Sequence, residues 1–122
     1  MDKEDIESVH SEIRILKKNP HPNICRIHDW YESVNKIYIR MELCKGGALG
    51  DKVLKDGAID EGEIAMGMGK IVRALVFCHK QRIMHRDIKP DNIMFGGDEG
   101  DQIKLIDFGF AVQQKKNPGN EE

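Results

Sequence analysis

The sequence lacks the features that would assign the protein to a membrane or to a nucleic acid. No run of 18 or more apolar residues occurs among its 122 residues, so we predict no membrane span. The first five residues are acidic rather than basic, and we expect no secretory signal there. The formal net charge is −2, which provides no strongly basic surface for a phosphate backbone. Neither a membrane nor a nucleic acid is therefore an expected partner.

Cysteine is also scarce, with three widely spaced residues: Cys25, Cys44 and Cys78. An odd number without a CxxC pair argues against a disulfide framework and against a structural zinc site. We therefore expect a reducing intracellular compartment, most simply the cytoplasm. With 39% hydrophobic and 33% charged residues, the composition is that of one ordinary domain with a core of moderate size.

The first half of the chain predicts a helix followed by a hairpin. Apolar residues at intervals of three and four predict a helix over residues 6–18: Ile6, Val9, Ile13 and Leu16. Two prolines end this helix at residues 19–22. Glu12 lies beside the apolar stripe, and the helix pattern alone favours a solvated glutamate there. Strands are predicted over residues 24–31 and 37–44.

The second half predicts a longer helix and two short strands. The helix is expected to begin after an N-cap at Asp60 and to end near Arg82. Its predicted buried face consists of residues at helical spacing: Ile64, Met68, Ile71, Val72, Leu75 and His79. Strands are predicted over 93–95 and 102–106, which makes the fold class α+β. From Gln113 onward no apolar residue anchors the chain, and we expect disorder.

One stretch concentrates the polar groups that could hold a phosphate and a metal ion. It reads His85-Arg86-Asp87-Ile88-Lys89-Pro90-Asp91-Asn92, and Asp107-Phe108-Gly109 begins fifteen residues after Asn92. Phosphoryl transfer requires alignment and charge neutralisation more than covalent chemistry from the protein. Carboxylates, an amide and an ammonium group suit that requirement. The stretch and the triplet resemble the catalytic loop and the metal-binding motif of Ser/Thr protein kinases.

The resemblance implies a role for each polar residue of these motifs. Asp87 would accept the proton of an incoming Ser or Thr hydroxyl, and Lys89 would neutralise the γ-phosphate. Asn92 and Asp107 would bind Mg²⁺. Arg86 would contact a phosphorylated activation segment. The implied cofactors are ATP and Mg²⁺, and the implied substrate is a protein Ser or Thr.

The resemblance also places the adenine and the apolar stack that joins the two kinase lobes. Met41 falls at the gatekeeper position, before a hinge that ends in Gly46 and Gly47. The adenine would contact the main chain of two hinge residues and two apolar side chains: Glu42, Cys44, Leu49 and Met94. The stack would contain Leu16, His85 and Phe108. Ala48 departs from the pattern, because many relatives carry a ribose-binding glutamate there.

Some of these positions also have a simpler interpretation. Leu49 and Met94 could be ordinary core residues, and a lone histidine such as His85 is more often a structural hydrogen-bonding residue than a catalyst. Glu12 falls where the kinase C helix carries the glutamate that pairs with a phosphate-binding lysine.

The resemblance runs from about Ser8 to Val112, within a partial kinase-like fold. We assign residues 1–44 to a partial small lobe, 45–112 to a partial large lobe and 113–122 to a disordered tail. The segments His-Pro-Asn-Ile, Met-Glu-Leu-Cys-Lys-Gly-Gly and Asp-Phe-Gly-Phe-Ala resemble the calcium/calmodulin-dependent and calcium-dependent protein kinases.

The motifs of a complete kinase domain are only partly present. The 122 residues contain no GxGxxGxV loop, no VAIK-type lysine and no Ala-Pro-Glu. We therefore expect a truncated kinase domain with little or no activity alone, which associates through an exposed large-lobe surface. The alternative is a non-catalytic nucleotide-binding or interaction module derived from a kinase.

Overall fold

The computed structural model describes residues 3–56 and 61–115, with the backbone alone for 53–56. Its elements are α1 (Lys3–Lys18), β1 (Ile27–Glu32), β2 (Ile37–Met41), α2 (Leu49–Asp56), α3 (Glu61–Lys80), β3 (Ile83–Met84), a 3₁₀ turn (Pro90–Asn92), β4 (Ile93–Gly96), β5 (Gln102–Leu105) and β6 (Val112–Gln113). The strands form three antiparallel pairs, β1 with β2, β3 with β6 and β4 with β5. This mixture of helices and strands confirms the α+β class. Within the described ranges, no helix is long and apolar enough to cross a bilayer.

An apolar core joins α1, α3 and the strands around the motif residues. Its buried members include Ile13, Ile15, Leu16, Ile71, Ala74, Cys78, Ile83, Ile93, Ile103, Leu105 and Phe108. Helix α1 begins three residues before its predicted start and ends as expected at Lys18. Buried Asn19 terminates it, because its Nδ2 donates a hydrogen bond of 2.8 Å to the Ile15 carbonyl. Pro20 then prevents continuation of the helix.

The loop between α1 and β1 is attached to β5. Cys25 N donates to Leu105 O at 3.0 Å, and Leu105 N donates to Asn23 O at 2.8 Å. Ile24 therefore forms an isolated bridge with Leu105 instead of opening the hairpin. This is why β1 begins at Ile27 rather than at the predicted residue 24. The second predicted strand is also shorter than expected, since β2 ends at Met41.

The predicted buried face of α3 is partly wrong. Ile71 is buried as expected, but Ile64, Val72 and His79 are exposed. Ala74 and Cys78 complete the buried stripe instead. The helix packs on β3 and β5 along one narrow side, so a wide apolar face is not covered. The predicted N-cap Asp60 lies outside the described residues.

Four elements were not predicted from the sequence: α2, β3, the 3₁₀ turn and β6. Helix α2 is short, and strands β3 and β6 contain two residues each. Strand β6 extends backbone pairing to Gln113, and Gln114 N donates to Arg82 O at 2.9 Å. The predicted disordered tail therefore begins too early at Gln113, and residues 116–122 lie outside the described residues.

Candidate active site

The loop that begins at His85 is held in place by the side chain of His85. This side chain is buried, its Nε2 donates to Ile106 O at 2.8 Å, and its Nδ1 accepts a hydrogen bond from Asp87 N at 3.1 Å. A nitrogen that accepts from a backbone N–H carries no proton, so the ring proton lies on Nε2. Arg86, between them, adopts a left-handed backbone with φ of 69°. His85 thus fixes the loop as a structural hydrogen-bonding residue, as the simpler interpretation has it.

Asp87, Lys89 and Asn92 are brought together by this loop. Asn92 is buried, and its Nδ2 donates both to Asp87 O at 2.9 Å and to Asp87 Oδ2 at 3.0 Å. The ammonium nitrogen of Lys89 lies 3.7 Å from Asp87 Oδ1. One carboxylate oxygen of Asp87 is therefore held by an amide donor, while the other faces a cation at a half-exposed edge.

The metal-ligand candidates are joined through the main chain. Ile106 N donates to Asn92 O at 2.9 Å, which places Asp107 next to the catalytic loop. Asp107 is exposed, adopts a left-handed backbone with φ of 58°, and its Oδ1 accepts from Gly109 N at 3.1 Å. Asn92 Nδ2 is already hydrogen-bonded to Asp87, so Asn92 Oδ1 is the atom of this side chain that is available to bind a hard cation. The described residues contain no group of three or more His, Cys, Asp or Glu side chains arranged to hold a metal ion.

The chain that follows β2 crosses β4 beside Met94, one of the predicted apolar contacts of the adenine. Gly46 N donates to Phe95 O and Phe95 N donates to Gly47 O, each at 2.9 Å. Ala48 forms a bridge with Met94, so the hinge lies beside one of the predicted apolar contacts. A Cβ at Gly46 would overlap the Gly100 carbonyl, which explains why the crossing requires glycine.

The remaining hinge residues have other contacts. Met41 pairs with Ile27 and is 40% exposed, and Leu49 packs against the apolar core at the start of α2. Cys44 O accepts from Gly47 N at 3.3 Å. Glu42 O is contacted by Cys25 Sγ at 3.5 Å, and burial raises the pKa of that thiol to about 12. The three cysteines are free thiols, in agreement with the prediction of no disulfide framework.

Sequence reasoning missed Lys104, the buried cation behind the hinge. Its Nζ lies 3.1 Å from Glu42 Oε2 and donates to Pro22 O at 2.7 Å. The other oxygen of Glu42 accepts from Arg26 N at 3.2 Å. Lys104 therefore ties β5 to the hinge and to the loop after α1. The available signal was a lysine within the apolar run of the predicted strand over 102–106.

Glu12 is not the solvated glutamate that the helix pattern alone favoured. It is partly buried, and its Oε2 accepts a hydrogen bond of 2.7 Å from Phe108 N. Burial raises its pKa above the ordinary value, the Phe108 N–H opposes that rise, and the charge of Asp107 adds to it. Helix α1 is thus attached directly to the Asp-Phe-Gly triplet. A second attachment is Ser8, whose hydroxyl donates to Gly109 O at 2.8 Å.

We expect Glu12→Gln to change the pH dependence of stability. Glutamine keeps an acceptor for Phe108 N–H but carries no charge to desolvate. A raised folded-state pKa means that the contribution of Glu12 is fully present below its ordinary pKa and is lost as pH rises through the raised value. Wild type should therefore lose stability relative to Glu12→Gln as the pH rises above the ordinary glutamate pKa, which urea titrations at a series of pH values would measure.

The control for this experiment is Glu12→Ala, which leaves Phe108 N–H without its acceptor. It should be less stable than Glu12→Gln by about 1–3 kcal/mol across the whole pH range, because neither variant titrates at this position. A difference between wild type and Glu12→Gln that does not vary with pH would contradict the assignment.

The apolar stack and Arg86 complete the site. Leu16 and Phe108 belong to the same buried core, and the rings of His85 and Phe108 meet edge to face at 4.6 Å between centroids. Arg86 Nε donates to the Phe110 carbonyl at 2.8 Å, just beyond the triplet. Leu16 and Phe108 thus share one buried core, His85 packs on Phe108, and Arg86 faces the segment that follows Gly109.

Comparison with known proteins identifies the class to which this geometry belongs. The family model described as protein kinase domain matches residues 1–121, and the chain belongs to that family. The chain is 43% identical over 114 residues to calcium-dependent protein kinase 5 of Plasmodium falciparum (isolate 3D7), an alignment that covers 93% of the chain and 20% of that protein.

Two plant proteins are similar to a comparable degree. Calcium-dependent protein kinase 7 of Arabidopsis thaliana is 43% identical over 110 residues, covering 88% of the chain and 21% of that protein. Calcium/calmodulin-dependent serine/threonine-protein kinase 1 of Oryza sativa subsp. japonica is 42% identical over 109 residues, covering 87% and 18%. The chain thus spans about a fifth of the length of these relatives, whose names confirm the resemblance to the calcium-dependent group.

Proposed function

We propose that this site serves the transfer of the γ-phosphate of ATP to a Ser or Thr hydroxyl of a protein substrate. The observation that carries the proposal is the hydrogen-bonded unit of Asp87, Asn92 and the strand end before Asp107. It holds a candidate base and two candidate metal ligands on one rigid framework. The relatives named as protein kinases support the same activity.

Each polar residue has a task that suits its contacts. Asp87 Oδ2 is held by Asn92, so Oδ1 is the oxygen that would accept the proton of the substrate hydroxyl. Lys89, half exposed beside Asp87 Oδ1, would stabilise the negative charge of the transferred phosphate. Asn92 Oδ1 and the Asp107 carboxylate are oxygen ligands of the kind that Mg²⁺ prefers. When bound, Mg²⁺ would neutralise charge on the β- and γ-phosphates.

The nucleotide base would lie at the hinge. We propose that the main chain of Glu42 and Cys44 hydrogen-bonds the adenine edge and that Leu49 and Met94 pack on its faces. Ala48 has no carboxylate, so ribose recognition at that position is not part of the proposal. We further propose that residues 1–44 belong to the small lobe and 45–112 to the large lobe, with Met41 as gatekeeper.

A chimera tests this function directly. Residues 8–112 would replace the corresponding segment of calcium-dependent protein kinase 5 of Plasmodium falciparum, a relative 43% identical to the chain. We expect the chimera to phosphorylate a Ser peptide, and Asp87→Asn to reduce that rate by about a hundredfold or more. A chimera that folds and binds ATP but transfers no phosphate would contradict the proposal.

The 122 residues alone are expected to show little or no phosphoryl transfer. They contain neither the glycine-rich loop motif nor a VAIK-type lysine. Loss of one preorganised charge commonly costs about 3–4 kcal/mol of transition-state stabilisation. Phosphorylation of a Ser peptide by the purified chain, abolished by Asp107→Ala, would overturn this expectation.

A second candidate function is that of a non-catalytic interaction module. It is favoured by the uncovered side of α3, where Met66 is 70%, Val72 54% and Val76 47% exposed. Such a surface favours association. Light scattering after gel filtration should show self-association that Val72→Lys/Val76→Lys weakens; a monomer at all concentrations would count against this role.

A further inference from the structure

A groove lined by cations lies between α1, the end of α3 and β6, away from the candidate active site. Its volume is about 490 Å³, and we call it the basic groove. It is lined by Ser11, Arg14, Ile15, Lys80, Gln81, Arg82, Gln113, Gln114 and Lys115. Four of these side chains are cationic and none is acidic. Cationic side chains from α1, from the end of α3 and from the residues after β6 therefore line the same groove.

None of the four cations takes part in an ion pair with the described side chains, those of residues 3–52 and 61–115. The ion pairs found there involve other residues, at His10 with Glu32, Arg40 with Asp29, Lys89 with Asp87 and Lys104 with Glu42. The nearest acidic residue on the same side of α1 by helical spacing is Glu7, one turn before Ser11. Glu12 is turned to the triplet, where it accepts from Phe108 N. The ion pairs among the described side chains thus involve none of the groove cations.

The floor of the groove is fixed by one backbone hydrogen bond and by one side-chain hydrogen bond to a backbone carbonyl. Gln114 N donates to Arg82 O at 2.9 Å, and Gln113 Nε2 donates to Gln81 O at 3.0 Å. Arg82 adopts a left-handed backbone with φ of 64°, which turns the chain between α3 and β3. The cations at the end of α3 and beside β6 are therefore held on a common base.

We propose that the basic groove binds a phosphate group. A dianion matches several cations better than a carboxylate does, because each carboxylate carries one charge. Two arginines offer planar pairs of N–H donors that suit phosphate oxygens, and Lys80 and Lys115 add point charges. Ser11 provides a hydroxyl on the α1 side.

Binding at this groove would also connect two parts of the candidate active site. Arg14 is on α1, two residues after Glu12, and Lys115 follows β6, which begins three residues after Gly109. A phosphate bridging these cations would hold α1 against the segment that follows the triplet. The Glu12 to Phe108 hydrogen bond spans the same two segments.

Phosphorus NMR of the purified chain tests the proposal. Inorganic phosphate and N-acetyl-O-phosphoserine amide would be titrated at constant ionic strength, and acetate and N-acetylserine amide, which contain no phosphorus, would be added as control competitors that should not displace them. We expect saturable broadening of the phosphorus resonance of at least one phosphate compound. Tighter binding of the phosphoserine compound indicates a phosphorylated side chain as the natural source, and tighter binding of inorganic phosphate indicates the free ion. No saturable change with either compound at millimolar concentration overturns the proposal.

Matched variants locate the binding. Arg14→Gln/Lys115→Gln should weaken phosphate binding on the order of tenfold, because two charge pairs at an exposed site are lost. Lys70→Gln/Arg73→Gln removes two exposed cations from α3 outside the groove and should leave binding unchanged. Equal loss in the two double variants would overturn the proposal by showing a general charge effect.

A carboxylate placed in the groove gives an independent measurement. Ser11→Glu should raise the melting temperature, because its charge would meet the groove cations, and it should weaken phosphate binding by competition. Ser11→Gln introduces a side chain of the same shape as glutamate but without its charge, and it should change neither the melting temperature nor the phosphate affinity. If Ser11→Glu and Ser11→Gln have the same melting temperature and the same phosphate affinity, the groove is not an anion site.

Discussion

Replacing Lys104 with methionine should destabilise the chain by about 3 kcal/mol, a large part of the stability of a small domain. The side chain of Lys104 is 8% exposed and that of its partner Glu42 is 20% exposed. In the wild-type chain, Lys104 Nζ lies 3.1 Å from the Glu42 carboxylate and 2.7 Å from Pro22 O. Methionine fills the space of the lysine stem, but it leaves the Glu42 carboxylate without a cation and Pro22 O without a donor. A charge that stays buried without a partner costs more than the ion pair contributes when intact.

The double variant Lys104→Met/Glu42→Gln separates these two effects. Glutamine removes the unpaired charge and retains an oxygen that can accept from Arg26 N. Urea titration should show that the second substitution restores about half or more of the stability lost in Lys104→Met. If the double variant is as unstable as the sum of both single variants, Lys104 and Glu42 do not interact across the hinge.

Phe108→Ala should cost about 3–5 kcal/mol, a large part of the stability of a small domain. Phe108 is 2% exposed within the core and meets His85 edge to face. Alanine would leave a cavity beneath the catalytic loop, since both His85 and Leu16 are buried there. Circular dichroism in urea measures the loss of stability.

Phe110 provides the matched control two residues further along. Its side chain is 61% exposed, and its only bond to Arg86 uses the backbone carbonyl. Phe110→Ala should therefore change stability by less than about 0.5 kcal/mol. If Phe108→Ala and Phe110→Ala lose similar amounts of stability, Phe108 is not the buried residue, and Phe110 not the exposed one, that the structure shows.

Much of the fold could be predicted because the periodic segments are long. Helix α1 and helix α3 followed from apolar spacing, and the β4–β5 hairpin followed from apolar runs around glycines. The buried side of α3 was predicted poorly. The spacing of apolar residues shows which face of a helix is apolar, but it does not show how much of that face neighbouring elements cover. Strands β3 and β6 contain two residues each, which is too short for any alternation to be visible.

The candidate site was predictable where a motif places its residues close in sequence. Asp87, Lys89 and Asn92 lie within one turn-rich loop, and His85 fixes that loop as a structural residue does. Contacts between distant segments were less visible. The Glu12 to Phe108 bond joins residues 96 positions apart, and Lys104 meets a carbonyl 82 positions away. The sequence around each of these residues does not indicate its distant partner, because the contacts depend on how α1, the hinge and β5 pack together.

The most direct test of the account is Mg²⁺-dependent binding of a fluorescent ATP analogue to the purified chain. We predict saturable binding that requires Mg²⁺ and is lost in Asp107→Ala, while Asp101→Ala, in the turn before β5, retains it. Binding that is unaffected by chelation of Mg²⁺ or by Asp107→Ala, or no binding at millimolar nucleotide, would contradict the assignment of Asn92 and Asp107 as metal ligands of a nucleotide site.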